Sequence, residues 1–108
     1  MLYRGITRQY RQSKQLSWWT PAVEHAARYC HEEDGSSIIA IDDSALKIIE
    51  CPEAIGDSWL ADSGASGWAM GLLRELGADG FRRTDAAGIE VCLLPEAVAG
   101  KVDIYEQF

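Results

Sequence analysis

The chain opens on "LYRG" at Leu2–Gly5, and "SWWTP" follows at Ser17–Pro21. An arginine in a first strand and paired tryptophans before a helix start are groupings with chemical use. A guanidinium is a planar fork of donors that fits phosphate oxygens, and an indole offers a flat apolar face to another planar ring. Together they read as two walls of one nucleotide pocket, with ordinary packing as the competing reading. The charge distribution agrees with a local anionic ligand. Residues 1–28 carry Arg4, Arg8, Arg11, Lys14 and Arg28 against Glu24 alone, a local charge of +4 in a chain of net charge −7. Such asymmetry fits a small anion better than a polyanion, though a solvated basic loop produces it too.

The same composition narrows the function classes. A net charge of −7 disfavours direct nucleic-acid binding, which needs a basic surface. Cys30, Cys51 and Cys92 are odd in number and widely spaced, which argues against a disulfide framework, and no CxxC or HxxxH spacing suggests a metal site. The 108 residues, 47% of them hydrophobic, suit one folded domain spanning 1–108. No apolar run approaches the roughly 20 residues of a membrane span. The first residues, "MLYRGITRQYRQSK", lack the apolar core of a signal peptide, so a cytoplasmic protein is expected.

These side chains need elements to hold them. Leu2–Gly5 reads as a strand ended by glycine, and "LSWW" as a second, aromatic-rich strand. Thr20 reads as a helix N-cap, with Pro21 at the first helical position. Ala22, Val23, Ala26, Ala27 and Cys30 recur at helical spacing, which carries that helix to about His31. Residues 37–42 and 45–50 are extended candidates, and 52–66 read as loop. A second helix is expected from Gly67 through Trp68, Leu72, Leu73 and Leu76, stopped by Gly77. "DGFRR" and "IEVCLLP" form a strand pair around the turn "TDAAG", and "KVDIYEQF" is a last strand. This order predicts an α+β fold, with a mixed or antiparallel sheet and two main helices. In an extended "SWWT", Trp18 and Trp19 face opposite sides, so one belongs to the core. Glu90 likewise faces away from Ile89 and Val91.

In order and type, these stretches resemble the ADP-ribosyltransferase superfamily, especially its small bacterial and phage members. "LYRG" with Arg4 matches the first-strand motif, Ser17–Thr20 the second-strand motif, and Glu90 in "GIEVCLLP" the late acidic motif. "WWTPAVEHAARYCH" resembles the strand and helix of poly(ADP-ribose) polymerases, and "LGADGFRRTDAAGIEVCLLP" a phrase common in the bacterial and phage members. The resemblance implies NAD as substrate, with ADP-ribose passed to a protein or small acceptor and nicotinamide released. It implies that Glu90 is catalytic, steadying the ribosyl cation as a glycosidase carboxylate does. It implies that Arg4 holds the pyrophosphate or ribose, and that Ser17 and Thr20 orient the nicotinamide ribose. Trp18 takes the strand-aromatic position, and Tyr29 stacks on the nicotinamide. Glu106 in "IYEQF" is the second-choice acid.

Two departures bear on the acceptor. Gly88 and Ile89 precede Glu90, in place of the Glu-x-Glu of arginine-directed transferases, and Trp18 and Trp19 interrupt the usual Ser-Thr-Ser. Each residue also has a plain reading. Arg4 is then a surface strand arginine in an ion pair, Tyr29 packs at the core edge, Glu90 is an exposed strand glutamate, and His25 and His31 lie on the helix surface. A catalytically silent binding or inhibitor module of the same fold, with an acidic face for a basic partner, is the alternative function.

Overall fold

The computed structural model describes residues 1–7, 14–30, 35–55, 63–86 and 88–108. The elements in chain order are β1 (Leu2–Ile6), β2 (Ser17–Trp19), α1 (Val23–Cys30), β3 (Ser37–Ile41), β4 (Ile48–Glu50), α2 (Ser63–Glu75), β5 (Gly80–Asp85), β6 (Gly88–Leu93), α3 (Pro95–Val98) and β7 (Asp103–Gln107). The fold is α+β. Among the described residues the strands form two sheets rather than one. The first has the order β1-β3-β7 and is antiparallel throughout; the second has the order β2-β6-β5-β4 and is mixed, because β4 and β5 run parallel. None of the described helices is long and apolar enough to cross a membrane.

Alternation along two central strands explains the layering. On β6, Val91 and Leu93 pack with Leu2, Trp19, Ile39 and Ile41, between the sheets. Cys92, between them, points the other way and joins Phe81, Ala69 and Leu73 under α2. On β3, Ile39 and Ile41 face the second sheet, while Ile38 packs with Ala26 and Cys30 of α1. The order is thus α1, first sheet, second sheet, α2. β3 is covered on both sides, which is why the whole of it is buried, whereas β6 is fully buried only from Val91 to Leu93.

Gly5 does not end its strand. β1 continues to Ile6, and the glycine is needed because α1 lies directly against it. A Cβ there would collide with the Ala26 carbonyl oxygen and crowd Tyr29 and Cys30. α1 starts later than the sequence suggests. Thr20 is tied to Tyr3 by two backbone hydrogen bonds, Tyr3 N–H to Thr20 O at 2.8 Å and Thr20 N–H to Tyr3 O at 2.9 Å. That bridge keeps Thr20 extended. Its Oγ1 accepts from Ala22 N at 3.2 Å, closing a turn through Pro21, and Ala22 O takes the first helical bonds.

α2 begins at Ser63, ahead of the expected Gly67. Its first residues are Ser, Gly and Ala, which give little periodic signal. It ends as expected at Gly77, φ +66°, where Ala78 N–H bonds Leu73 O and Gly77 N–H bonds Arg74 O. The remainder of the expected 52–66 loop, residues 56–62, lies outside the described residues, as do Arg8, Arg11 and His31. The short α3, with Pro95 opening it and Ala97 and Val98 buried, has no counterpart in the sequence expectation.

Candidate functional site

The Tyr3–Thr20 bridge joins the first sheet to the second at the point where α1 departs. A pocket of about 380 Å³ opens there. β1 contributes Tyr3, Arg4 and Gly5; β2 and the residue after it contribute Trp18, Trp19 and Thr20; α1 contributes His25, Ala26 and Tyr29; and the β5–β6 pair contributes Arg83 and Glu90. Its volume falls in the lower part of the range of about 300–1,000 Å³ for small-molecule sites.

Each side chain is delivered by a local rule. Alternation sends Trp19 into the core between the sheets and leaves Trp18 half-buried on the opposite face, edge-on to Phe81 with ring centroids 6.2 Å apart. Arg4 is half-buried, and its Nη1 donates to the Trp18 carbonyl at 3.2 Å. This contact crosses from the first sheet to the second, so Arg4 and Trp18 are fixed relative to each other. Glu90 sits on the same face of its sheet as Trp18 and Cys92, and Arg83 stands directly opposite it in the antiparallel register. Arg83 Nε lies 3.7 Å from Glu90 Oε2, and the Arg83 guanidinium carbon is 5.5 Å from the Trp18 ring centroid. Tyr29, 57% exposed, stands on α1 with its ring stacked on His25 at 5.9 Å between centroids.

The buried Cys92 thiol, paired with Trp18 in register, feels all three charged groups. Burial is the main cause that pushes its pKa well up; the Arg4 and Arg83 cations oppose that rise, while Cys51 and Glu90 add to it. The thiol is therefore inert, and it reports how close the three charges lie to one strand position.

The structure thus brings Arg4, Trp18, Thr20, Tyr29 and Glu90 to one pocket. Ser17 is not among the lining residues. It is buried beneath them, where its Oγ accepts from Trp19 Nε1 at 2.8 Å and fixes the buried indole. The Thr20 hydroxyl is engaged by Ala22 N–H. Tyr29 is at the mouth rather than at the core edge. Glu106 lies on the exposed edge strand β7, opposite Ile38, and is not among the lining residues.

Sequence reasoning did not single out Arg83 as a site residue, and it placed His25 on the plain helix surface. Arg83 had a signal. Arg83 and Glu90 stand symmetrically about the 86–87 dipeptide, so a hairpin turning there must pair them. His25 had one too, standing four residues before Tyr29 on the same helix face.

Among the described residues no group of three His, Cys, Asp or Glu side chains is placed to hold a metal ion. The lining offers instead two guanidiniums, one carboxylate, one imidazole and four aromatic rings. That set suits an anionic ligand with a planar ring. No protein-family model, curated protein or solved structure matches the chain.

Proposed function

We propose that this chain is an ADP-ribosyltransferase-like protein that binds NAD in the pocket where its two sheets meet. It passes ADP-ribose to a protein or small acceptor and releases nicotinamide. The observation that carries this reading is the convergence of Arg4 and Glu90, far apart in sequence, on one pocket with Trp18, Thr20 and Tyr29. In this reading the bond from the ribose anomeric carbon to nicotinamide breaks, and its electron pair leaves with the nicotinamide. Glu90 steadies the positive charge left on the ribose, and the acceptor's nucleophile adds there and loses its proton. Arg4, held by the Trp18 carbonyl, grips the pyrophosphate or ribose. Tyr29 at the mouth supplies a face for the nicotinamide ring. Ser17 has no contact role here and acts through the seating of Trp19.

One observation favours the silent-module alternative. Arg83 faces Glu90 as a counter-ion, and a neutralised carboxylate steadies a cation poorly. Calorimetry with NAD, followed by assay of released nicotinamide, tests the reading. Binding with measurable release supports the enzyme, binding without release under any acceptor supports the silent module, and no binding overturns both.

A further inference from the structure

The ring of Tyr105 is not part of the pocket lining but touches it. Tyr3 lines the pocket, and its ring meets that of Tyr105 edge-on, with centroids 5.1 Å apart and planes at 70°. The contact spans the first sheet, because β3 runs between β1 and β7. Two features permit it. Ala40 of β3 stands between Tyr3 and Asp103 in the register, a small side chain that leaves room for the rings. Tyr105 is also the extra residue of a β-bulge: Ile38 faces Glu106 and Ile39 faces Ile104, which leaves Tyr105 opposite no residue of β3. A bulge re-aims a side chain, and here it aims one at the pocket wall. Tyr105 nonetheless stays 53% exposed, so much of its surface is open to a ligand. A dinucleotide is bulkier than the drug-sized ligands that a volume of about 380 Å³ suits, so one end of it must lie beyond the pocket.

We propose that Tyr105, backed by Tyr3, is a stacking platform for the adenine of a dinucleotide whose other end occupies the pocket. A tyrosine ring stacks on any base. The amino group is read by Asp103, which shares the face of Tyr3 through the register with Ala40. An ionised carboxylate only accepts hydrogen bonds, so it suits the adenine amine. It also repels phosphate, which sets the diphosphate toward Arg4 in the pocket. The inference rests on the nucleotide reading above for the class of ligand, but not on any turnover.

Probes that carry one end of NAD separate the two ends of the site. ADP-ribose and nicotinamide mononucleotide are titrated calorimetrically into wild type, Tyr105→Ala and Tyr105→Phe, and ADP and IDP into wild type and Asp103→Ala. Tyr105→Ala should weaken ADP-ribose by about tenfold, the loss of one base stacked on one ring, and leave nicotinamide mononucleotide unchanged. The unchanged probe shows that the pocket has kept its shape. Tyr105→Phe keeps the ring face and should bind ADP-ribose within about twofold of wild type. Wild type should prefer ADP to IDP, which has a carbonyl in place of the amine, by about fivefold, and Asp103→Ala should erase that preference. The inference is overturned if wild type does not bind ADP-ribose, if Tyr105→Ala binds it as wild type does, or if Tyr105→Ala weakens both probes alike. It is also overturned if Tyr105→Phe loses as much as Tyr105→Ala, or if ADP and IDP bind wild type equally. NAD cleavage with ADP-ribose affinity unchanged in Tyr105→Ala would sink the platform and spare the enzyme reading. The expected affinities without NAD cleavage would support the platform and count against the enzyme.

Discussion

Replacing Gly5 by alanine should destabilise the fold by about 2 kcal/mol. The added methyl would meet the Ala26 carbonyl oxygen and lie 3.0 Å from Tyr29 Cβ and 3.1 Å from Cys30 Sγ. The tip of a flexible side chain yields to such a contact, but a helix carbonyl does not. The Cys30 thiol is also committed, donating to Ser37 O at 3.1 Å. Overpacking costs about 1–3 kcal/mol, and a backbone contact belongs at the upper end. Replacing a strand glycine returns roughly 0.5–1 kcal/mol. With about 2.1 cal/mol/K of unfolding entropy per residue, the net loss lowers Tm by about 9 °C. Circular dichroism melts measure this, with Gly71→Ala as the control. Gly71 stands on α2 with open space beside it, so alanine there should raise stability by about 1 kcal/mol. Shifting α1 also moves His25 and Tyr29 at the pocket, so Gly5→Ala should weaken ligand binding as well. A Gly5→Ala melt at or above that of wild type would refute the seating of α1 on β1.

Arg4→Ala should weaken NAD binding by about 1.5–3 kcal/mol, and Arg4→Lys should restore only part of it because the fork is lost; equal calorimetric affinities would remove Arg4 from the site. Burial holds the Cys92 thiol protonated far above its ordinary range, so iodoacetamide at pH 8, read by mass spectrometry, should label the partly exposed Cys51 and spare Cys30 and Cys92 until denaturant is added. Labelling of Cys92 in the native chain would contradict its placement under α2.

Much of the strand order was legible because alternation and turn chemistry are local. "SIIAI", "DGFRR" and "IEVCLL" declare themselves by β-branched residues and glycine-bearing turns. The division into two sheets was not legible. It depends on which strands pair, and the Tyr3–Thr20 bridge that joins the sheets is a backbone contact with no side-chain signature. The same bridge displaced the start of α1, overriding the capping pattern of Thr20 and Pro21. Gly5 looked like a strand terminator because its packing demand comes from α1, remote in sequence. At the site, residue types pointed to Arg4, Trp18 and Glu90, but their convergence required the fold. Ser17 shared the motif yet faced inward, since alternation puts it on the side of Trp19.

The most direct test of the central claim is nicotinamide release from NAD by wild type and Glu90→Gln. The substitution keeps the shape and removes the charge, and a partly exposed strand glutamate adds little to stability, so the fold should survive. Charge stabilisation of a ribosyl cation acts mainly in the transition state. Glu90→Gln should therefore keep NAD affinity within a few-fold of wild type or tighter, while lowering release by on the order of a hundredfold or more. Glu106→Gln, on the exposed edge strand, should release nicotinamide as wild type does. Release by Glu90→Gln at the wild-type rate, or none by wild type with any acceptor, would contradict the account.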